Sequence, residues 1–231
     1  MNNTYKLFRL QCQDLLVLLE MEHNGILFNT EGALEHAKRL EGEQTVLLTR
    51  FNALVGSSAV SITSGDDISS VLYGGIIVET IRIPVGFFKQ GTTKEGQTRY
   101  KLQKEEHIFP RLVDPLPRTE TKKSAKWRAE GKTEGESLWE VNEPVLKSLK
   151  AKGKAKEILT IILEYSKIEK LRGTYLAGYA KLIEEMNWEH NMLFPSLNQC
   201  VAITGRLSSS KPNGQNADKK TKAYMESRYA D

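Results

Sequence analysis

Apolar residues near the start of the chain recur with the period of an α-helix. Residues 5–23 contain the apolar run 15–19 and end at Asn24 and Gly25. Both of these residue types tolerate the left-handed backbone conformation with which many helices stop. A short apolar link, residues 26–28, follows. The pattern therefore predicts a buried first helix that stops at a defined point.

Two further helix starts follow from the residue types at their N-termini. Asn29 or Thr30 can cap a long amphipathic helix that ends at Gly56. Ser64 is followed three residues later by Asp67, which places a hydroxyl and a carboxylate where a capping box needs them. A short third helix is expected there.

The region after the third helix changes its hydrophobic period from helix to strand. Residues 80–87 alternate between apolar and other side chains, and a return strand follows the loop 90–97. We therefore predict a β-hairpin. Its apolar positions are Ile81, Ile83, Val85 and Phe87 on the first strand, and Tyr100 and Leu102 on the second.

The hairpin is followed by residues that break regular structure. Three prolines lie within 110–117, and residues 122–136 form a charged stretch with two glycines that can bury little area. This composition predicts a mobile connector. Order is expected to resume at Trp139, and Asn142 with Pro144 is a suitable start for another helix.

A long amphipathic helix is predicted for residues 156–179. Arg172 falls on its apolar arc, so this side chain extends to solvent, meets a buried acid, or marks a change of pitch near Gly173. Together the elements predict a mainly α protein with a small β portion, in the α+β class. The polar arc of the helix carries Lys156, Lys167, Lys170 and Thr174.

Composition places few limits on function. The chain has 33 Lys and Arg residues against 29 Asp and Glu residues, and this mild excess permits an anionic partner without identifying one. Cys12 and Cys200 lie far apart with no metal-binding spacing, so both are expected to be reduced. No stretch has the roughly 20 apolar residues that a bilayer span requires, and a cytoplasmic location is expected.

Two features of the sequence could contact a nucleic acid. A series of lysines runs into the long helix, where it could neutralise phosphates or form an ordinary solvated surface. Residues 204–216 are rich in hydroxyl and amide groups on irregular backbone, which suits either a nucleic-acid groove or a polar surface loop. The lysines are Lys147, Lys150, Lys152, Lys154, Lys156, Lys167 and Lys170.

Three motifs give the chain a resemblance to family A DNA polymerases of the phage type. Residues 204–216 read T-G-R-L-S-S-S-K-P-N-G-Q-N, which is similar to the family's T-G-R-L-S-S-x-x-P-N-L-Q-N. Residues 170–175 match K-L-x-x-T-Y of the family's thumb helix, and residues 21–26 match M-E-x-x-G-I at the thumb's first helix. The resemblance implies the thumb and the start of the palm.

The resemblance also implies a division of the chain. Residues 1–73 would form the first helices of the thumb, and residues 139–185 its long basic helix, while residues 186–231 would begin the palm. Residues 74–138 would be an insertion into the thumb. Since some phage polymerases hold a processivity factor through a thumb insertion, the resemblance implies such a protein as a partner.

By the same resemblance, Arg206 is expected to contact the minor groove at the primer terminus, where acceptors common to all base pairs permit binding without sequence preference. Lys170 would hold primer-strand phosphates. The remaining DNA-binding residues that the resemblance implies are Lys167, Thr174, Tyr175, Asn198, Gln199, Thr204, Gly205, Ser208, Ser209, Asn213, Gln215 and Asn216. Gly214, and Ala217 with Asp218, depart from the family's usual Leu and Ile-Pro.

Catalytic residues are not expected in this chain. The family holds two metal ions on palm aspartates, the first in a D-Y-S-x-x-E motif, and this motif does not occur here. The resemblance therefore implies a primer-template-binding part of a split polymerase, inactive alone, with Mg²⁺ bound only after a complementary chain adds the rest of the palm and the fingers. The alternative is a standalone nucleic-acid-binding or accessory protein on a thumb scaffold.

Overall fold

The computed structural model describes residues 3–92, 98–129, 138–199, 201 and 206–229. The helices are α1 (Asn3–Asn24), α2 (Thr30–Val55), α3 (Gly65–Tyr73), α4 (Lys122–Ala129), α5 (Glu143–Ser148), α6 (Gly153–Glu169), α7 (Ala177–Glu185) and α8 (Lys219–Lys222). The strands are β1 (Ile26–Phe28), β2 (Gly75–Thr92), β3 (Thr98–Phe109), β4 (Met192–Leu193), β5 (Ser196–Asn198), β6 (Ser208–Ser210) and β7 (Met225–Glu226). A π-helical segment, Lys170–Leu176, lies between α6 and α7.

The chain divides into two compact units. The first combines Met1–Gln44 with Lys167–Asp231, and the second comprises Thr45–Ser166. The predicted α+β class is confirmed, since helices dominate and the strands form small antiparallel sheets. Among the described residues, no helix is long and apolar enough to cross a bilayer.

A three-stranded antiparallel sheet organises the first unit. Its strand order is β4-β1-β7, with Ile26 opposite Leu193 and Phe28 opposite Met225. Residues 26–28 are thus the central strand and not merely a link. Strand β7 follows the short helix α8.

The core of the first unit lies between this sheet and the helices that follow it. Phe28 and Leu176 are fully buried, and the Phe28 ring meets the Tyr179 ring edge-on at 5.7 Å between centroids. Edge-to-face pairs of this kind contribute beyond the area they bury. The rest of the cluster is Ala33, Ala37, Leu40, Leu171, Tyr175, Ile183, Leu193 and Ala217.

Helix α1 is not the buried helix that its sequence predicts. Among its described residues only Leu18 is buried, whereas Leu16 is 69% exposed and Leu19 62% exposed. The apolar run 15–19 covers more than one side of a helix, and only the side of Leu18 meets the rest of the unit. The helix does stop at Asn24, as predicted.

The predicted start of α2 is confirmed, and Asn29 supplies the cap. The Asn29 Oδ1 atom accepts a hydrogen bond from the Gly32 amide at 2.9 Å. The Thr30 hydroxyl instead donates to the carbonyl oxygen of Phe28. Helix α2 ends at Val55, before Gly56 with φ of 80°.

The second unit contains the other predicted caps. The Ser64 hydroxyl accepts from the Asp67 amide at 3.3 Å, and Asp67 Oδ2 accepts from the Ser61 amide at 2.9 Å. At α5, Asn142 Oδ1 accepts from the Val145 amide at 3.1 Å. Short polar side chains therefore begin α3 and α5 as the sequence indicates.

The predicted hairpin is present and is longer than its alternation suggested. Strands β2 and β3 pair from Gly75 with Phe109 to Thr92 with Thr98, with irregularities after Ile81. Pro84 lies at one of these irregularities, as expected for a residue without an amide hydrogen. Ile83 and Val85 are both exposed, so the alternation does not mark a buried face.

The mobile connector expected for residues 122–136 is wrong for its first half, which forms α4. The Thr121 hydroxyl accepts from the Ser124 amide at 3.2 Å and so caps this helix, and the buried Ser124 donates to Glu120 at 2.8 Å. Residues 130–137 lie outside the described residues. Order is present at Trp139, whose amide donates to Ser69 at 2.8 Å.

The long basic helix is confirmed with one change. Its π-helical segment begins at Lys170, so the pitch does change near Gly173. Arg172 also meets an acid, because its Nη2 atom lies 3.2 Å from Glu169 Oε2. The change of pitch is therefore confirmed, whereas the acid that Arg172 meets is partly exposed and not buried.

Candidate nucleic-acid interface

The loop that follows the T-G-R motif is anchored on a small antiparallel hairpin. Strands β5 and β6 pair Ser196 with Ser210 and Asn198 with Ser208. The Asn198 amide donates to the Ser210 hydroxyl at 3.1 Å. The predicted site residues Asn198 and Ser208 thus lie opposite each other. Thr204 and Gly205 lie outside the described residues.

Side chains within the loop hold its backbone. The Ser209 hydroxyl donates to Asn213 Oδ1 at 3.2 Å and accepts from the Gln215 amide at 3.2 Å. Asn213 Oδ1 also accepts from the Asn216 amide at 3.3 Å. Ser209 is buried, and its role in the described structure is to shape the loop.

Two phenols attach this loop to the helix. The Tyr175 hydroxyl donates to the carbonyl oxygen of Asn216 at 2.8 Å, and the Tyr179 hydroxyl donates to the carbonyl oxygen of Asn213 at 3.0 Å. Both rings are buried and meet edge-on with 5.8 Å between centroids. Burial, with a smaller effect from Tyr175, raises the pKa of Tyr179 to about 12.

The arrangement leaves polar side chains at the surface. Arg206, Asn213, Gln215 and Asn216 are exposed, while their loop is held through its backbone by Tyr175 and Tyr179 and through internal bonds. A preformed loop with outward amide and guanidinium groups can donate and accept hydrogen bonds without first ordering itself. This geometry suits a sugar, a base edge or a phosphate.

The cations expected to hold phosphates are also at the surface. In the first unit the exposed cations are Lys167, at the end of α6, and Lys170, on the π-helical segment. The neutral Thr174 is exposed on the same segment. In the second unit Lys150, Lys152, Lys154 and Lys156 are exposed, and Lys147 forms an ion pair of 2.5 Å with Glu143. That pair partly neutralises Lys147.

The π-helical segment is braced by a polar contact from α2. The buried Gln44 donates to Glu169 Oε2 at 2.6 Å, and the same oxygen accepts from Arg172. The hydrogen bond from Gln44 lowers the pKa of Glu169, with Arg172 adding to the effect and partial burial opposing it. This contact fixes the turn immediately before Lys170.

The M-E-x-x-G-I motif has a structural basis. The Leu197 amide donates to Glu22 Oε1, which joins α1 to β5. Gly25 has φ of 65°, and a Cβ atom there would lie 2.8 Å from the Phe194 ring and 2.9 Å from the Leu193 carbonyl oxygen. Only glycine fits both the conformation and the space. The motif therefore positions the hairpin that begins the loop.

Sequence reasoning missed Tyr179 and Glu22 as positioning residues. The four-residue spacing of Tyr175 and Tyr179 places both phenols on one helix side, and this signal could have predicted the paired anchor. Gln199, a predicted site residue, lines a groove of about 390 Å³ together with Gln11, Leu18 and Leu207.

Comparison with known proteins identifies the family of this arrangement. The sequence profile of DNA polymerase family A matches residues 118–230. Residues 118–230 are therefore similar to DNA polymerase family A. This segment includes the π-helical segment, both tyrosine anchors and the loop 206–217, so the predicted resemblance is confirmed at the level of the family.

Parts of two curated DNA polymerases are similar in sequence to part of this chain. DNA polymerase I of Pseudomonas aeruginosa is 42% identical over 60 residues, or 26% of this chain and 6% of that protein. The thermostable DNA polymerase I of Thermus aquaticus is 37% identical over 91 residues, or 39% of this chain and 10% of that protein. The aligned parts are therefore a small share of these relatives.

A solved polymerase structure shares the fold. The POL domain of Pol1 from M. smegmatis, in complex with DNA primer-template and dNTP, aligns with a TM-score of 0.52 over 90% of this chain and 27% of that chain, at 17% identity. The matched family profile begins after the β2–β3 hairpin, which ends at Phe109.

Proposed function

We propose that this chain is the part of a family A DNA polymerase that holds primer-template DNA during replication. The observation that carries the proposal is the loop fixed by Tyr175 and Tyr179, in which the motif residues Arg206 and Gln215 are exposed. The contacts would be to groups shared by every base pair, so binding would not depend on sequence.

The individual roles follow from exposure and bonding. Arg206 would donate to the minor-groove edge at the primer end, and Gln215 and Asn216 would contact nearby sugars or bases. Lys167 and Lys170 would neutralise primer-strand phosphates. Tyr175, Tyr179 and Ser209 would act indirectly, because their hydroxyls hold the loop backbone.

Nucleotidyl transfer would require a complementary polypeptide with the rest of the palm and the fingers. No group of three or more His, Cys, Asp or Glu side chains within the described ranges could hold a metal ion. The split arrangement assigns the catalytic aspartates of the D-Y-S-x-x-E motif to the complementary chain.

Binding of labelled primer-template, titrated with salt, tests the grip. Lys170→Ala should reduce the slope of log affinity against log salt by about 0.9, as expected for one phosphate contact. Arg206→Ala should remove the preference for a primed end over unprimed duplex. Lys181→Ala is the control, because Lys181 is exposed in the same unit and paired with Glu185. Equal affinity and slope in all variants would contradict these site assignments.

Reconstitution tests the split arrangement separately. Primer extension is expected when magnesium, nucleotides and a polypeptide carrying the remaining palm and fingers are added to this chain. An inactive mixture in which the chain still binds primer-template would favour the alternative function, an accessory nucleic-acid-binding protein. Activity without the second polypeptide would contradict the split arrangement.

The proposal includes a processivity factor bound at residues 74–138. Near the base of the hairpin, Ile76 and Ile108 pair across the strands with 44% and 74% of their surface exposed. A two-stranded sheet has little stability alone. A protein that covers Ile76 and Ile108 would bury their exposed apolar surface and so stabilise the hairpin. The reconstituted enzyme is assayed for the length of its primer-extension products in the presence of host extract. The double variant Ile76→Ser/Ile108→Ser should give shorter products than the unsubstituted protein. Unchanged lengths would argue against this partner.

A further inference from the structure

The long β2–β3 hairpin divides into two halves of opposite charge. We define the proximal half as residues 75–79 and 105–109, and the distal half as residues 80–92 and 98–104. The proximal half has three glutamates and no lysine or arginine. The distal half has five lysine and arginine residues and no acid. These are Arg82, Lys89, Arg99, Lys101 and Lys104.

The sign changes between two adjacent cross-strand pairs. Glu79 lies opposite Glu105, and the next pair is Thr80 with Lys104. A surface that serves only solubility mixes both signs, and the whole chain has 33 basic against 29 acidic residues. The separation within one hairpin is therefore much sharper than the composition of the chain.

Two of the three proximal carboxylates have partners on the hairpin. Glu79 lies 3.3 Å from His107 Nε2, and Glu105 accepts from the Gln103 amide at 3.2 Å. Arg82, Lys101 and Lys104 are all exposed. The cations of the distal half whose side chains the structure describes therefore lie at the surface.

The shape of the distal half suits an extended polyanion. Seven residues of β3, from Thr98 to Lys104, span about 23 Å at 3.3 Å per residue. Double-stranded DNA carries one charge per roughly 1.7 Å of its axis, and a two-stranded β-ribbon fits its major groove. A single strand offers the same phosphodiester groups at a wider spacing.

We propose that the distal half of this hairpin is a second nucleic-acid contact, which binds the phosphodiester backbone independently of the primer end. It goes beyond the proposed function, because the hairpin lies outside the residues that match the polymerase family. Its contact is electrostatic, and it would act on any duplex or single strand within reach. Affinity from this source depends on salt and not on sequence.

The full chain tests this with two matched double variants. Arg82→Gln/Lys104→Gln removes one arginine and one lysine from the distal half. Lys38→Gln/Arg39→Gln removes the same charges from exposed positions on α2. Each protein is titrated with salt against three probes of equal length, namely unprimed duplex, single strand and primer-template. Thermal unfolding confirms that the variants fold.

The hairpin variant should reduce the slope of log affinity against log salt by about 2 on unprimed duplex or on the single strand, because each phosphate contact contributes about 0.9. The probe that shows the loss identifies the strand form. The α2 variant should match the unsubstituted protein. If the double hairpin variant does not fold, Lys104→Gln alone should lose about 1. A slope unchanged on all three probes, or an equal loss in the α2 variant, would overturn the proposal.

The outcome is separable from that for the proposed function. A hairpin variant that weakens DNA binding, while Arg206→Ala and Lys170→Ala do not, would support this contact and contradict the primer-end assignment. If Arg206→Ala and Lys170→Ala weaken DNA binding while the hairpin variant does not, the primer-end contact is supported and the hairpin contact is contradicted. A hairpin variant that keeps its DNA affinity but loses a protein partner would overturn the proposal in favour of protein docking.

Discussion

The Tyr175 hydroxyl donates a 2.8 Å hydrogen bond to the carbonyl oxygen of Asn216, which lies 41 positions further along the chain. Tyr175 belongs to the π-helical segment that begins at Lys170. One bond therefore ties the helix that carries an exposed cation to the loop that carries exposed amides. The geometry of the candidate interface depends on this link and on its neighbour at Tyr179.

Removing the Tyr175 hydroxyl should weaken the fold measurably. Tyr175→Phe keeps the ring in the core but leaves the Asn216 carbonyl without this donor, which is expected to cost about 1 kcal/mol of unfolding free energy. Urea unfolding measures the change. Tyr5→Phe is the control, since Tyr5 is half-exposed on α1. Equal stability of Tyr175→Phe and the unsubstituted protein would show that the bond contributes nothing.

Tyr179 should make the protein sensitive to alkali. Its pKa is about 12 in the folded protein against 10.0 for an ordinary tyrosine. Between these values the unfolded state loses its proton first, so the stability present below pH 10 falls as the pH rises towards 12. Tyr179→Phe should reduce this decline in unfolding free energy. A decline of unaltered steepness in the variant would contradict the assignment.

Glu169 should contribute to stability at neutral pH and lose that contribution in acid. Its pKa is lowered in the folded protein from 4.5 by the hydrogen bond from Gln44. Its contribution is therefore present above about pH 4.5 and disappears as the pH falls through the lower folded value. Glu169→Gln should be less stable than the unsubstituted protein at pH 7, with the difference closing in acid.

Chemical denaturation across this pH range checks the Glu169 prediction. Glu35→Gln, at an exposed position on α2, serves as the charge-matched control. A stability difference between Glu169→Gln and the unsubstituted protein that stays constant from neutral to acid pH would rule out a role for the Glu169 charge.

Two glycines should respond to alanine with opposite signs. Gly25→Ala places a Cβ against Phe194 at a φ of 65°, and it should destabilise the protein by about 1–3 kcal/mol. Gly42→Ala lies within α2 with nothing near its Cβ, and it should stabilise by about 0.5–1 kcal/mol. Thermal unfolding of both variants gives the comparison. A neutral Gly25→Ala would disprove the close approach.

Two leucines of α1 should differ in how much stability their truncation costs. Leu18→Ala removes a buried side chain and should cost about 2–3 kcal/mol, whereas Leu16→Ala should cost less than about 0.5 kcal/mol because Leu16 is exposed. Unfolding midpoints of the two variants measure this. Similar losses for both would indicate that the apolar run is buried after all.

The sequence predicted those parts of the fold whose causes are local. Asn29, Ser64 and Asn142 each begin a helix because a short side chain accepts from the amide three residues later. Gly56 ends α2 for an equally local reason, its positive φ. Such signals need no knowledge of distant residues.

The features of the fold that the sequence did not predict depend on contacts between residues far apart in the chain. Strand β1 has three residues, and its partners begin at Met192 and Met225, so no local period could indicate it. The apolar run in α1 correctly predicted a helix, but burial depends on what packs against it. Residues 122–136 were predicted to be a mobile connector because of their charge, yet a cap at Thr121 begins a helix over Lys122–Ala129.

The sequence predicted the exposed residues of the candidate site but not which residues hold its loop in place. Arg206, Gln215 and Lys170 were named from the motifs and are exposed. Tyr175 and Ser209 were named as contacts for DNA, but their hydroxyls bond within the protein. A motif preserves a residue's identity without showing whether its side chain faces a ligand or the backbone behind it.

The π-helical segment also limits how the length of this region can change. A π-helical turn closes with one more residue than an α-helical turn, so it rotates the following helix by about 100° relative to an unbroken α-helix. Deleting one residue from Lys170–Leu176 would restore ordinary pitch and preserve every apolar residue elsewhere. It would also swing Tyr179 away from the carbonyl of Asn213. A single deletion in this segment is therefore expected to break the anchor between the helix and the loop.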